Sequence, residues 1–262
     1  MFYENTMESK MTFWDSLILG SIQGVTEFLP ISSSGHLVII QSLLGINQPG
    51  NDFEILVHIG TLGSVLYVFK NDILDILGNL KQKSTIIFIE LIIIGTLPAV
   101  FIGLNFKDQI ALLFENITNV SVALIFTGIV LISTFFLKRK DLENNFSKAF
   151  LIGTFQSIAI IPGVSRSGMT ISIAMLLGLS PKNAAKFSFM LAIPAISGAG
   201  VITALDTTSG FLLPYQILLG GLISSFFIGI LSLNILLKLL EAGKFHFFGV
   251  YCFIVGLLTL VI

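Results

Sequence analysis

A chain of 262 residues, 54% apolar and only 11% charged, has too few charges to cover a water-facing surface, since soluble domains carry roughly 25%. It is the sequence of an integral membrane protein, and its mean hydropathy of +0.95 agrees. A net charge of −1 and the lack of any long basic run argue against a nucleic-acid partner, and the lone Cys252 offers neither an intramolecular disulfide nor a thiolate metal site.

The first ten residues, MFYENTMESK, are polar and acidic, unlike the basic start of a cleaved signal peptide, so the N-terminus is expected to be retained. A helix needs about 20 mostly apolar residues to cross the hydrocarbon core. The first apolar region, from about Phe13 to Leu44, is too interrupted to be one span. Its middle reads QGVTEFLPISSSGH, Gln23 to His36, and places an acid, a proline and three serines where a span should be greasy. Segments at about 53–69, 86–104 and 118–137 then read as spans. A second broken region runs from about Phe146 to Leu179 and is split at IPGVSRSG; spans at about 183–203, 211–237 and 244–262 complete the chain. Each half of a broken region holds about 10–17 apolar residues, too few to cross. Such an element suggests a re-entrant hairpin, tolerated only when buried in protein or lining a wet cavity. The expected fold is therefore an all-α polytopic membrane protein with six transmembrane helices plus two re-entrant helical hairpins, forming one membrane domain over residues 1–262.

The two broken regions resemble each other. LGSIQGVTEFLPISSSGH aligns with IGTFQSIAIIPGVSRSGM, so that Gln23 and Gln156 fall the same distance before Gly35 and Gly168, and segments opening at Phe53 and Phe187 follow. The pattern predicts a duplication with halves at about 1–140 and 141–262. An odd number of spans between the hairpins makes it an inverted repeat, with its site between the hairpins near the midplane. Loop charge supports this topology. Eleven basic residues between Lys70 and Lys244 sort to one face and only Lys10 and Lys107 to the other, which places both termini outside by the positive-inside rule.

Arg166 is the one basic residue left within the apolar sequence. A buried arginine needs a partner or an anionic ligand. Ser165, Ser167 and Thr170 surround it, and a half-helix expected at about 169–178 would aim backbone N–H groups the same way, which suits a phosphate. A purely structural ion pair with an internal acid is the alternative. In the first hairpin His36 takes the arginine's place after Ser32, Ser33 and Ser34, while Gln23 and Glu27 share a helical face. Plainer roles stand beside these: a surface carboxylate for Glu27, a backbone-bonded histidine for His36, capping for Ser32 and Ser34. Glu54 and His58 share a face near a span end and read as interfacial, and His246 as a surface residue. An acid, a histidine, an arginine and hydroxyls in one intramembrane pocket suit phosphoryl chemistry on a lipid.

The run TEFLPISSSGH, preceded by Gln23, and the later PGVSRSGMT resemble the two signatures of the undecaprenyl-diphosphatase family, the bacitracin-resistance proteins, and FEILVHIGTL, LPAVFIGL and FSFMLAIP extend the resemblance over essentially the whole chain. The resemblance implies a bacterial inner-membrane enzyme that removes the terminal phosphate of undecaprenyl diphosphate to regenerate the lipid carrier of cell-wall synthesis, with its site open to the outer face. It carries the acidic motif onto Gln23 and Glu27, the serine and histidine onto Ser33 and His36, and the phosphate-holding arginine onto Arg166. Glu27, Ser33, His36 and Arg166 are then the catalytic set. Gln23, Ser32, Ser34, Ser165, Ser167 and Thr170 would bind substrate.

The resemblance also implies a divalent cation. Gln23 is neutral, which disfavours a two-carboxylate site. A pyrophosphate-bound Mg²⁺ or Ca²⁺ touched by Glu27 alone fits better. The expected partners are a polyprenyl diphosphate and the membrane, with oligomeric state open and a homodimer allowed. Three rivals are a flippase for the lipid phosphate, a phosphatidic-acid-type phosphatase whose other motifs are missing here, and an ion channel or structural protein that would leave Arg166 unexplained. Whether Ser33 attacks directly or an activated water does so is left open.

Overall fold

The computed structural model describes residues 11–46, 52–114, 116–137, 140–206 and 213–261. The expectations for residues 1–10 and for the loop charges at Lys10, Lys138 and Arg139 lie outside the described residues. All regular structure among the described residues is helical: α1 Phe13–Phe28, α2 Ser33–Leu44, α3 Asp52–Val68, α4 Lys70–Gly78, α5 Lys83–Asn105, α6 Lys107–Phe114, α7 Ile117–Ser133 with a 3₁₀ turn Thr134–Phe136, α8 Phe146–Ile158, α9 Arg166–Leu176, α10 Pro181–Asp206, α11 Tyr215–Glu241 and α12 Phe247–Thr259.

Both broken regions are helix–break–helix, and local chemistry sets each break. A capping box starts α1: Asp15 N donates to Thr12 Oγ1 while Thr12 N donates to Asp15 Oδ2. Pro30 brings no N–H and disfavours helical geometry in the residue before it, so α1 stops at Phe28. Ser32 then caps α2, accepting from Gly35 N, and Gly45 closes it in the left-handed region at φ 64°. In the second region Asn145 caps α8 and Ser165 caps α9, accepting from Gly168 N. The second half-helix thus begins at Arg166 rather than at about residue 169, because the Ser165 cap lies directly before the arginine. The four half-helices hold 16, 12, 13 and 11 residues, each short of a crossing.

Among the described residues four helices are long and apolar enough to cross a bilayer: α5, α7 with its 3₁₀ turn, α10 and α11. α3 qualifies only together with α4, a pair bent by 69°. α12 is apolar but has 13 residues. The short helices α4 and α6 stand where loops were expected.

α1 packs along α11, α8 along α5, α7 along α12, and α3 against both α10 and α11. Small residues set these distances, as they do between helices in lipid. A side chain at Gly153 would run into the backbone of Gly95, and one at Gly24 into that of Ser225 and Gly229. Phe28 and Phe189 meet edge-on at 5.8 Å in the largest apolar cluster, and Ser232 Oγ donates to Gly24 O across the α1–α11 seam. The two breaks interlock: a Cβ at Gly35 would lie 3.2 Å from Gly163 Cα, and one at Gly168 would lie 3.3 Å from Pro30 Cβ. This contact brings the first residues of α2 and α9 to one place.

Candidate active site

Glu27 sits in the last turn of α1, where the helix dipole opposes a negative charge. Its carboxylate is 6% exposed and must be held by its neighbours. Arg166, the first residue of α9, donates from Nη2 to Glu27 Oε1 at 2.5 Å. Ser33, the first residue of α2, donates from Oγ to Oε2 at 2.7 Å, and Gln23 Nε2 donates to the same oxygen at 3.1 Å from one turn earlier in α1. Both half-helices therefore point their N-terminal ends at one carboxylate. The surface reading of Glu27 is replaced by a buried, fully engaged one.

Two buried polar atoms here have no partner, Arg166 Nη1 and Gln23 Oε1. A buried guanidinium nitrogen without an acceptor costs free energy unless a ligand supplies one. Arg166 Nη1 and two helix N-termini make a cradle for a phosphate group.

His58 also belongs to this cluster, which the interfacial reading missed. It donates from Nδ1 to Glu54 O at 2.7 Å, which turns Nε2 toward Glu27 Oε2, 3.8 Å away. Its spacing from Glu54 on one helix face was visible in the sequence, but which helix faced it was not.

The remaining candidates divide. His36 is buried with both ring nitrogens engaged: Nδ1 donates to Ser32 O at 2.8 Å, and Nε2 meets Tyr251 Oη at 2.9 Å with the two rings stacked. No sequence signal marked Tyr251, a lone tyrosine in an apolar helix. Ser32 adopts φ 70°, alone among described non-glycine residues, and its Oγ lies 3.4 Å from Ser34 Oγ. Such backbone strain persists only where the surroundings enforce it. Ser165 Oγ lies 3.3 Å from Ser167 Oγ, and Ser165 N donates to Thr127 Oγ1. Thr170 is buried; its hydroxyl donates to Arg166 O at 2.8 Å and meets Ser188 Oγ at 2.6 Å, tying α9 to α10. Cys252 is buried with its thiol toward Pro30 O, and His246 meets Phe135 edge-on and Phe247 at a tilt.

No group of three or more His, Cys, Asp or Glu side chains among the described residues could enclose a metal ion. Arg166, Ser33 and Gln23 occupy the Glu27 oxygens, and the open acceptor is Gln23 Oε1, an oxygen donor suited to Mg²⁺ or Ca²⁺. These residues fit a cation that arrives on a pyrophosphate, not one caged by protein.

A hydroxyl held on a carboxylate, beside a guanidinium with an unpartnered nitrogen, is a set of groups suited to phosphoryl chemistry. The family described as bacitracin resistance protein BacA matches residues 16–258. An undecaprenyl-diphosphatase of Desulfosudis oleivorans is 40% identical over 93% of this chain and 96% of its own length. Those of Carboxydothermus hydrogenoformans and Methanosphaera stadtmanae are 39% and 37% identical over 96% and 94% of this chain, and 98% and 96% of their own. The chain belongs to the bacitracin resistance protein BacA family.

Proposed function

We infer that this chain hydrolyses undecaprenyl diphosphate to undecaprenyl phosphate and inorganic phosphate, the activity named for its relatives. The observation that carries the residue roles is the hydrogen bond from Ser33 Oγ to Glu27 Oε2 beside the half-free Arg166 guanidinium. Glu27 takes the Ser33 proton as Oγ attacks the terminal phosphorus, Arg166 Nη1 and the α2 and α9 N-termini hold the phosphate oxygens, and undecaprenyl phosphate leaves. Water then releases the phosphate from Ser33. Ser32 holds the turn that aims Ser33, and Ser34, Ser165 and Ser167 line the phosphate cradle. Thr170 anchors the start of α9, and His36, backed by Tyr251, orders the start of α2. A divalent cation carried on the pyrophosphate, touched by Gln23 Oε1 and Glu27, would neutralise its oxygens.

Around this site the chain is an inverted repeat of residues 1–140 and 141–262, with α1–α2 and α8–α9 as re-entrant hairpins in a bacterial inner membrane. The reciprocal pairing of α1 with α11 and α8 with α5, and the reciprocal glycine contacts at the breaks, support it. Both termini and the site face outward, and the polyprenyl tail lies among the spans. A carrier would not require a hydroxyl held on a carboxylate.

The test is phosphate release from undecaprenyl diphosphate by purified full-length protein in detergent, with and without a chelator. Turnover by the wild type that is lost in Ser33→Ala and Arg166→Ala supports the assignment. Folded wild type without turnover under any divalent cation overturns it, and near-normal Ser33→Ala replaces the serine by a directly activated water.

A further inference from the structure

Away from the Glu27 cluster, the starts of α5 and α10, the helix α4 and the segment before α8 enclose a cavity of about 370 Å³, within the roughly 300–1,000 Å³ of small-molecule sites. Its walls are fixed. Leu142 N donates to Gly178 O at 2.8 Å and Asn183 Nδ2 to Asp141 Oδ1 at 3.0 Å, which ties the segment before α8 to the end of α9 and to α10. Polar groups of both signs line the cavity. Asn144 Oδ1 accepts from Asn145 N at 3.0 Å, so its amide is set one way round and leaves Nδ2 buried with no partner. A buried N–H donor without an acceptor costs free energy unless a ligand supplies one. Ser84 and Thr85 also line the cavity, and their hydroxyls make no hydrogen bond among the described residues. They lie in the first turn of α5, and Gln82 before them gives that helix no side-chain cap, because its amide donates to Asn79 Oδ1 instead. The first N–H groups of α5 are therefore open to an anion. Lys186 adds a cation, held by Asp72 at 2.5 Å. Two carboxylates share the same lining: Asp75 of α4, which accepts from Asn79 Nδ2, and Glu143, which has no ion-pair partner among the described residues.

A lone phosphate would meet Asp75 and Glu143, and a lone cation would meet Lys186 and the open donors. A ligand that carries both charges matches both sets. The apolar part of the lining says where the rest of that ligand goes. Phe88 and Phe187 meet edge-on at 6.3 Å in the wall, and α5, leading away from it, turns Ile86, Ile93 and Leu97 outward. α5 is long and apolar enough to cross a bilayer, so that outward face lies against acyl chains. Lys83, the first residue of α5, and Lys182, the second of α10, stand at the ends of spans, where lipid headgroups lie.

We propose that this cavity binds a phospholipid whose headgroup joins a phosphate to a primary ammonium. The phosphate sits on the start of α5, with the Ser84 and Thr85 hydroxyls, Asn144 Nδ2 and Lys186 as donors. The ammonium donates to Asp75 and Glu143, and the tails follow the outer face of α5. The bound lipid fastens α4, α5 and α10 to one another and takes no part in the hydrolysis. Its site shares no residue with the Glu27 cluster, so it stands independently of the roles given to Ser33 and Arg166.

The experiment measures binding to delipidated full-length protein in detergent, by melting and by lipid retention, for phosphatidylethanolamine, phosphatidylglycerol, phosphatidylcholine and free phosphoethanolamine. Phosphatidylethanolamine should bind at least about tenfold more tightly than the other three, because it alone brings an ammonium N–H, a phosphate and tails together. Asp75→Asn/Glu143→Gln should abolish its advantage over phosphatidylglycerol, and Thr85→Val should weaken it about three- to tenfold. Without lipid both variants should melt and release phosphate like the wild type. Phosphatidylglycerol or phosphatidylcholine binding as well as phosphatidylethanolamine overturns recognition of the ammonium and the proposal with it. Full binding of free phosphoethanolamine makes the ligand a soluble zwitterion and overturns the lipid. A preference unchanged in Asp75→Asn/Glu143→Gln, or no binding of any of the four, overturns the site. If the double variant does not fold, Thr85→Val decides: unchanged affinity for phosphatidylethanolamine overturns the site as well.

Discussion

Arg166 and Glu27 meet at 2.5 Å from opposite halves of the chain, the first residue of α9 on the last turn of α1. One guanidinium nitrogen neutralises the carboxylate and the other is left without a partner. The pair therefore fastens the two breaks together and leaves Arg166 Nη1 open.

Removing one member of such a pair should cost more than removing both, because a lone buried charge remains. Arg166→Gln leaves Glu27, with its 6% exposure, without its cation and should destabilise the protein by about 3–5 kcal/mol. Glu27→Gln/Arg166→Gln should recover much of that loss while staying inactive. Melting of the two variants in detergent checks the order, and equal melting temperatures would show that the pair does not hold the fold.

Ser33 and Ser34 are neighbours with the same chemistry, yet only Ser33 donates to Glu27; Ser34 lies 3.4 Å from Ser32 Oγ. Ser33→Ala should lower kcat by at least about 10³-fold, whereas Ser34→Ala should stay within about tenfold, since it removes a weak contact and no reacting atom. Phosphate release by both variants at saturating substrate distinguishes them.

Much of this was readable from sequence because insolubility in lipid is a strong constraint. The serine-rich stretches beside Pro30 and Pro162 are too polar for a span, so the two breaks, the cap at Ser32 and the gathering of Glu27 with Arg166 had a local or electrostatic cause, whereas the Ser165 cap, which starts α9 three residues early, was not foreseen. His58 and Tyr251 were not readable in the same way. Each belongs to a segment whose other residues are nearly all apolar, and nothing within the segment says which neighbour it faces. His36 shows the reverse limit: the resemblance puts it in the catalytic set beside the serines, and its ring is bonded to Ser32 O and Tyr251, as the plainer backbone-bonded reading expects. The bend between α3 and α4 also escaped notice, because hydropathy reports length and not direction.

The Tyr251 hydroxyl reaches His36 Nε2 from α12, far along the chain. Tyr251→Phe keeps the stacked ring and removes only the hydrogen bond. A single neutral hydrogen bond contributes about 0.5–1.5 kcal/mol, so kcat should fall about 2- to 10-fold with melting nearly unchanged. A loss as large as that of Ser33→Ala would instead give Tyr251 a direct part in the chemistry. Steady-state kinetics of the variant decides between them.

The α5–α8 crossing offers a test of the scaffold that does not touch the site. A Cβ at Gly153 would collide with the Gly95 backbone, which no side-chain rotation can relieve, so Gly153→Val must push α8 off α5. Overpacking of this kind costs about 1–3 kcal/mol or more, and here both clashing partners are main chain, which puts the cost at the upper end. α8 carries the break that leads to Arg166, so its displacement should also weaken the contact with Glu27. Gly78→Ala is the control: nothing lies within 4 Å of a Cβ there, so melting and activity should both be close to wild type. Gly153→Val should lower the melting temperature and phosphate release together. A variant that melts like the wild type would mean that α5 and α8 stand further apart than the glycine contact implies.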